Sequence, residues 1–223
     1  MVLIVGVDEA GRGPVIGPLV ICGILIDEKN TQKLKAIGVK DSKLLTPQQR
    51  RSMFEKIKKA VNDYKIIEVS PKEIAAAVES ESGMNLNWLE AHKTAELLNI
   101  LKPDIAYIDC PSTNTSKYKA YLKKLLKKDI KLVVEHKADI NYPSCSAASI
   151  LAKVTRDREI EKIKKKIGQD IGSGYPSDPY TQKFIKENYK KYPEIFRKSW
   201  ATYKALTEAE KQKKLDQFQI YLV

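Results

Sequence analysis

Short, dense apolar segments alternate along the chain with longer stretches in which apolar residues recur every three or four positions. Val2–Val7, Leu19–Ile26, Lys65–Val69, Ile105–Asp109 and Lys131–Glu135 are rich in Ile, Val and Tyr and predict β-strands. The longer periodicity predicts helices at about Leu86–Leu101, Lys117–Lys128, Ala147–Ile167 and Thr207–Leu215. Thr46-Pro47-Gln48-Gln49 and Ser70-Pro71-Lys72-Glu73 each join a capping hydroxyl, a Pro at the first helical position and a Gln or Glu at the third. That combination satisfies exposed N–H groups and presets the backbone, so it marks two more helix starts. Asp178-Pro179 repeats the signal without the third-position residue, and Thr207 with Glu210 forms a capping box for the last helix. The first two strands are joined by a short link, whereas the later ones are separated by helices long enough for parallel crossovers. This order predicts an α/β fold with a mixed five-stranded sheet flanked by helices, and further helices to the end. No repeat, low-complexity tract or long linker divides it.

Composition adds that a core is attainable: 43% of the 223 residues are apolar. The longest apolar run, Val15–Ile26, is interrupted by Gly17, Pro18 and Gly23 and is too short to span a bilayer. The first residues read as a strand and not as a leader, so a cytoplasmic, membrane-free protein is expected. Cys22, Cys110 and Cys145 have no C-x-x-C spacing, which argues against a disulfide framework and a zinc site; they are expected to be small buried residues. With only His92 and His136, imidazole-based metal chemistry is disfavoured, while carboxylate-bound hard metals stay open. Forty Lys and Arg against 28 Asp and Glu give a net charge of +12, which favours a polyanionic partner without choosing between nucleic acid and an anionic membrane.

Three strand candidates end at or near acids: Val2–Val7 at Asp8-Glu9, Ile105–Ile108 at Asp109, and Lys131–Val134 at Glu135, with Asp139 four residues beyond. Taken singly, an Asp at a strand end is a turn former or a cap. Gathered at one region of a sheet, ionised carboxylates repel and raise each other's pKa unless a cation joins them, which predicts a hard divalent metal suited to phosphoryl transfer. Whether the ends meet depends on strand order, which periodicity does not reveal.

Asp8-Glu9-Ala10-Gly11-Arg12-Gly13-Pro14, directly after an apolar strand, resembles the signature of ribonuclease HII, the type 2 ribonuclease H. Four further segments resemble that family in the same order: Asp41-Ser42-Lys43; Tyr107-Ile108-Asp109; Ser146-Ala147-Ala148-Ser149 through Thr155-Arg156-Asp157-Arg158; and Gly172 through Pro179. The Glu135-His136-Lys137-Ala138-Asp139 stretch and the tail are most similar to archaeal members. The resemblance implies a ribonuclease H-like catalytic domain over residues 1–177 and a C-terminal helical extension over 178–223. It implies cleavage of the RNA strand of RNA/DNA hybrids, and incision 5′ of ribonucleotides embedded in duplex DNA, by two Mn²⁺ or Mg²⁺ ions, leaving 3′-hydroxyl and 5′-phosphate ends.

The family's metal-binding and catalytic carboxylates carry over onto Asp8, Glu9, Asp109 and Asp139. Glu135 and Asp157 are alternatives for the fourth, and Asp139 is preferred because it matches the family's Lys-Ala-Asp. Gly11, Arg12 and Gly13 carry the main chain that reads the ribose 2′-hydroxyl; the glycines also suit a turn between the first two strands. Tyr175 resembles the tyrosine that stacks on the following deoxynucleotide's sugar, and Lys43, Lys153 and Arg156 are candidate phosphate contacts. The Lys123-Lys124, Lys127-Lys128 and Lys164-Lys165-Lys166 clusters read as exposed helix faces, and His92 and His136 as structural. In the tail, Gln212, Leu215 and Phe218 resemble a peptide that docks on a sliding clamp, although Gln219 stands where a second aromatic is usual; an amphipathic helix packed on the domain accounts for them equally well. A monomer is expected. The competing readings are another carboxylate-dependent nuclease of the ribonuclease H superfamily and a non-catalytic nucleic-acid-binding module.

Overall fold

A computed structural model of the chain describes residues 1–39, 45–81 and 83–220, with the main chain alone over 213–220. Five strands, β1 (Leu3–Ala10), β2 (Leu19–Asp27), β3 (Asp63–Val69), β4 (Ile105–Asp109) and β5 (Lys131–Glu135), form one sheet in the order β3-β2-β1-β4-β5. β2 runs antiparallel to β1 and β3, whereas β1, β4 and β5 are mutually parallel. The mixed sheet expected from the pattern is therefore present, and its order supplies what the pattern lacked. The C-terminal ends of β1, β4 and β5 lie at one edge.

β1 is longer than its apolar run. Its ladder with β2 continues through Asp8↔Cys22 and Glu9↔Ile21 to Ala10↔Val20, so both acids stand inside a strand. Successive strand residues face opposite sides of the sheet. Val5 and Val7 enter the core formed with α3 (Pro71–Val78), α4 (Leu86–Leu101) and α5 (Thr115–Leu125). Ile4 and Ala10 enter the core on the other face, beneath α1 (Thr31–Ile37), α2 (Pro47–Ala60) and α7 (Pro143–Ile167). Gly6 belongs to that second face, and a Cβ there would stand 2.2 Å from the main-chain carbon of Ser144. The missing side chain lets the first turn of α7 lie directly on the central strand.

The capping boxes at Thr46 and Ser70 open α2 and α3, each with reciprocal hydrogen bonds to Gln49 and Glu73. Asp178 caps α8 (Pro179–Asn188) through the Tyr180 N–H. The box expected at Thr207 is absent: α9 runs from Ala201 to Ile220, and the Thr207 hydroxyl donates back to the carbonyls of Tyr203 and Lys204. A Thr-x-x-Glu motif inside a continuing helix has no free N–H groups to cap. α5 begins earlier than expected because Asn114 caps it, and α7 because Pro143 occupies its first turn. The short α1 and α6 (Ala138–Asn141) had no periodic signal long enough to read.

A third core joins Val15, Ile16 and Ile160 to Phe184, Ile195, Phe196 and Tyr203, so the C-terminal segment packs against the link between β1 and β2. The three cysteines are buried and unpaired, as expected. Among the described residues no helix is long and apolar enough to cross a membrane.

Candidate active site

Asp8, Glu9, Asp109 and Asp139 line one cleft of about 300 Å³ at the edge where β1, β4 and β5 end. Asp8 stands on the α7 side of β1, where the Ser149 hydroxyl donates to it, and its own carboxylate accepts the Glu9 N–H at 2.7 Å. Glu9 points to the α4 side, so two consecutive residues bring carboxylates to the strand end from both faces. Asp109 terminates β4 and accepts the Ala138 N–H at 3.0 Å. That bond forms because Lys137 turns the chain through a left-handed conformation, φ 61°, directly after β5. The turn carries Asp139 into the cleft, where it is 5% exposed, and the Ser146 hydroxyl donates to its main-chain carbonyl.

The alternatives for the fourth carboxylate lie elsewhere. Glu135 accepts from Asn141 at 2.7 Å and from the Tyr142 hydroxyl at 3.4 Å. Asp157 pairs with Lys153 at 3.0 Å and Arg50 at 3.7 Å.

Burial and the neighbouring charges of Asp109 and Asp139 push Asp8 up to about 7, against the Ser149 hydrogen bond. Glu9 is raised well above the usual carboxylate range by burial and by the charges of Asp8, Glu90 and Asp109. Among the described residues, no three of these acids close on a single point. The donor set nevertheless fits hard divalent ions: it is all oxygen, drawn from several elements, and two of its members, Asp8 and Glu9, are raised by burial and by the neighbouring carboxylates, a crowding that a cation relieves.

Beside the acids runs the link Gly11–Gly17, held from two directions. Gly11 has φ +84°, and a Cβ on it would strike the Arg156 side chain at 2.6 Å. The Arg12 guanidinium turns to α4, donating to Glu90 at 3.0 Å and to Asn87. Glu90 is 2% exposed; burial pushes it up to about 7, against the pull of Arg12. From the C-terminal segment, fully buried Arg197 donates to the carbonyls of Gly17 at 3.0 Å, Arg12 at 2.9 Å and Gly11 at 2.6 Å. Trp200 adds its indole N–H to the Gly13 carbonyl at 3.0 Å.

Tyr175 also lines the cleft, beside Gly13. Its loop is fixed by Asp178, which accepts from the Ser173 N–H at 2.6 Å and hydroxyl at 2.7 Å, and by Gly174, whose carbonyl accepts from Val15 and Ile16. Arg156, expected to meet phosphate, is 2% exposed. Its guanidinium donates to the Ser173 carbonyl at 2.7 Å and lies 5.1 Å from the Tyr175 ring centre. A side chain engaged in this way supports the Tyr175 loop. Lys153 does line the cleft, as does Arg50, whose guanidinium also donates to the Leu45 carbonyl at 2.6 Å. Lys43 lies outside the described residues.

Arg50, Glu90, Ser149, Arg197 and Trp200 were not singled out in the sequence. Ser149 stands in a segment that already resembled the family; the others reach the site from distant positions and carry no local motif.

The family model for ribonuclease HII matches residues 5–203. Ribonuclease HII from Pyrococcus furiosus is 49% identical over 222 residues, covering 96% of each chain. The crystal structure of ribonuclease H2 from Pyrococcus horikoshii superposes with a TM-score of 0.84 at 48% identity, over 93% of this chain and 98% of that one. The RNase HII in the structure of the PCNA:RNase HII complex from Archaeoglobus fulgidus gives 0.81 at 38% identity, over 89% and 95%. With four carboxylates gathered at the sheet edge and relatives matched along almost its whole length, the chain belongs to the ribonuclease HII family and is a nuclease, a hydrolase acting on RNA.

Proposed function

We propose that the chain hydrolyses the RNA strand of RNA/DNA hybrids and incises duplex DNA 5′ of an embedded ribonucleotide, leaving 3′-hydroxyl and 5′-phosphate ends. The observation that carries this reading is the juxtaposition, in one cleft, of four carboxylates with the glycine-bearing main chain of residues 11–13 and with Tyr175. Asp8, Glu9, Asp109 and Asp139 are the residues to hold two Mn²⁺ or Mg²⁺ ions. Held there, such ions would supply activation of the attacking water and stabilisation of the leaving 3′ oxygen. The protein orients their ligands: Ser149 fixes Asp8, and the Ala138 N–H fixes Asp109.

The main chain of Gly11, Arg12 and Gly13 reads the 2′-hydroxyl, which distinguishes RNA from DNA. The Arg12 side chain has a different part, since its bonds to Glu90 and Asn87 anchor the loop. Tyr175 stacks on the next sugar, and Lys153 and Lys43 contact phosphates. In this reading the catalytic unit over 1–177 and the extension over 178–223 act together in the cytoplasm as a monomer. Gln212, Leu215 and Phe218 dock on a sliding clamp, a reading supported by the relative solved with PCNA.

Incubation with Mn²⁺ or Mg²⁺ and a duplex carrying one ribonucleotide tests the reaction; failure to incise, or full activity in Asp109→Asn, overturns it. An all-DNA duplex in parallel separates it from a nuclease that acts on DNA alone. Deleting residues 212–223 should abolish clamp binding while leaving incision unchanged.

A further inference from the structure

We propose that Trp200 is a positioning residue that sets selectivity for the ribonucleotide through the carbonyl of Gly13. The inference rests on the reading that residues 11–13 meet the 2′-hydroxyl. Trp200 lies half-buried just before α9, and its indole N–H donates to the Gly13 carbonyl at 3.0 Å. The same ring receives the Arg197 guanidinium, 5.0 Å from its centre. Gly13 also faces Tyr175: a Cβ built on it would stand 3.6 Å from the tyrosine ring. One glycine thus sits between the aromatic wall of the cleft and the indole behind the loop.

Glycine has the widest backbone freedom of any residue, so its position depends on what holds the two peptide planes beside it. Arg197 holds the first, donating to the Arg12 carbonyl at 2.9 Å. In a trans peptide this directs the Gly13 N–H the opposite way. The second plane, between Gly13 and Pro14, has no N–H to anchor, so its carbonyl is the handle, and Trp200 takes it. Release of that handle frees rotation on one side of Gly13. Hydrogen-bond strength falls steeply with angle, so contact with a single hydroxyl is weakened, while phosphate contacts on α7 are untouched.

The test uses the full chain with Trp200→Phe. A second variant replaces Trp200 with 3-benzothienylalanine, which keeps the bicyclic shape but has sulfur where the indole has N–H. Two quantities are measured: kcat/KM on a duplex with one ribonucleotide, and the Kd of the all-DNA duplex of the same sequence. We expect kcat/KM to fall about fivefold to tenfold in both variants, the size of one lost hydrogen bond, with the all-DNA Kd unchanged within twofold. Unchanged kcat/KM in the benzothienyl variant overturns the proposal, and so does equal weakening on both duplexes, because a general support for the fold has no preference for the hydroxyl. If the unmodified protein fails to incise the ribonucleotide duplex, the reading of the loop fails first and this proposal falls with it.

Discussion

The two halves of the cleft are built in opposite ways. The acidic half is assembled by the sheet: β1 and β4 run parallel as neighbours, so Asp8, Glu9 and Asp109 meet because their strands end together. The glycine half has no such scaffold. The link between β1 and β2 is held by side chains 75 to 187 positions away in sequence, from Asn87 to Trp200. The acidic half is constrained by topology and crowded with like charge; the glycine half is constrained by a few distant hydrogen bonds, several of them from buried charged side chains. Damage to each should therefore read out differently, in chemistry and metal affinity for the first and in geometry for the second.

The largest effect is expected at Asp8. Asp8→Asn should lower activity on the order of 10³-fold or more, as loss of a central catalytic group commonly does. Stability should move the other way. In the folded chain burial and the charges of Asp109 and Asp139 raise Asp8 from 3.8 to about 7. Between those values the folded state keeps a proton that the unfolded state has released. Stability in the presence of a chelator should consequently decline as pH rises through that window, and Asp8→Asn should lose part of the decline. Thermal melts across the range check this, and a flat profile for the unmodified protein contradicts it. Mn²⁺ added at neutral pH should raise the melting temperature of the unmodified protein more than that of the variant.

Gly11→Ala attacks the other half. Its φ of +84° is strained for any side chain, and the new methyl would meet Arg156 Cδ at 2.6 Å and the Pro18 carbonyl at 2.9 Å. Loop displacement of about 1 Å is enough to lower kcat/KM on the order of 10²-fold, with about 1–2 kcal/mol lost in stability. Mn²⁺ affinity, read by the melting shift, should stay unchanged. A parallel loss of metal affinity would show that the two halves are not independent.

Their legibility differs for the same reason. Strand ends that carry acids, the capping boxes at Thr46 and Ser70, and the mixed sheet were visible because each rests on neighbours in sequence. Strand order was not, since pairings such as Val7↔Ile108 join segments a hundred residues apart. The glycines of the loop could be read as a place for close main-chain approach, but nothing near Arg197 or Trp200 signals that their donors face that loop. Arg156 shows a related limit. It stands in a segment that resembles the family and carries the charge a phosphate needs, but only packing reveals that it also supports the Tyr175 loop.

A smaller effect tests the loop that carries Tyr175. Asp178 is held below the usual carboxylate range, chiefly by its hydrogen bonds from Ser173, and it also caps α8. A lowered pKa means stability that is present above the unfolded value of 3.8 and lost as pH falls through the folded one. Asp178→Asn keeps one acceptor oxygen but replaces the other with an amide nitrogen that cannot accept, so it should cost about 1 kcal/mol at pH 7, and the difference from the unmodified protein should shrink in acid. Because the Tyr175 loop hangs on the same carboxylate, a modest loss of kcat/KM should accompany it. An undiminished stability difference in acid would show that the charge has no part.

The smallest effect is expected at Glu135, and it bears most directly on how the acidic half is built. β5 ends there, in register with Asp109, so strand ends alone nominate it as the next carboxylate. Its side chain is instead taken by Asn141 and Tyr142, outside the cleft, and the left-handed turn at Lys137 delivers Asp139 in its place. Glu135→Gln keeps an acceptor for Asn141 and should change kcat/KM by less than about twofold, the range of ordinary surface substitutions. Asp139→Asn should fall with Asp8→Asn. If the two acids exchange these outcomes, the fourth carboxylate comes from the strand end, and the turn that presents Ala138 to Asp109 serves the fold and not the metal.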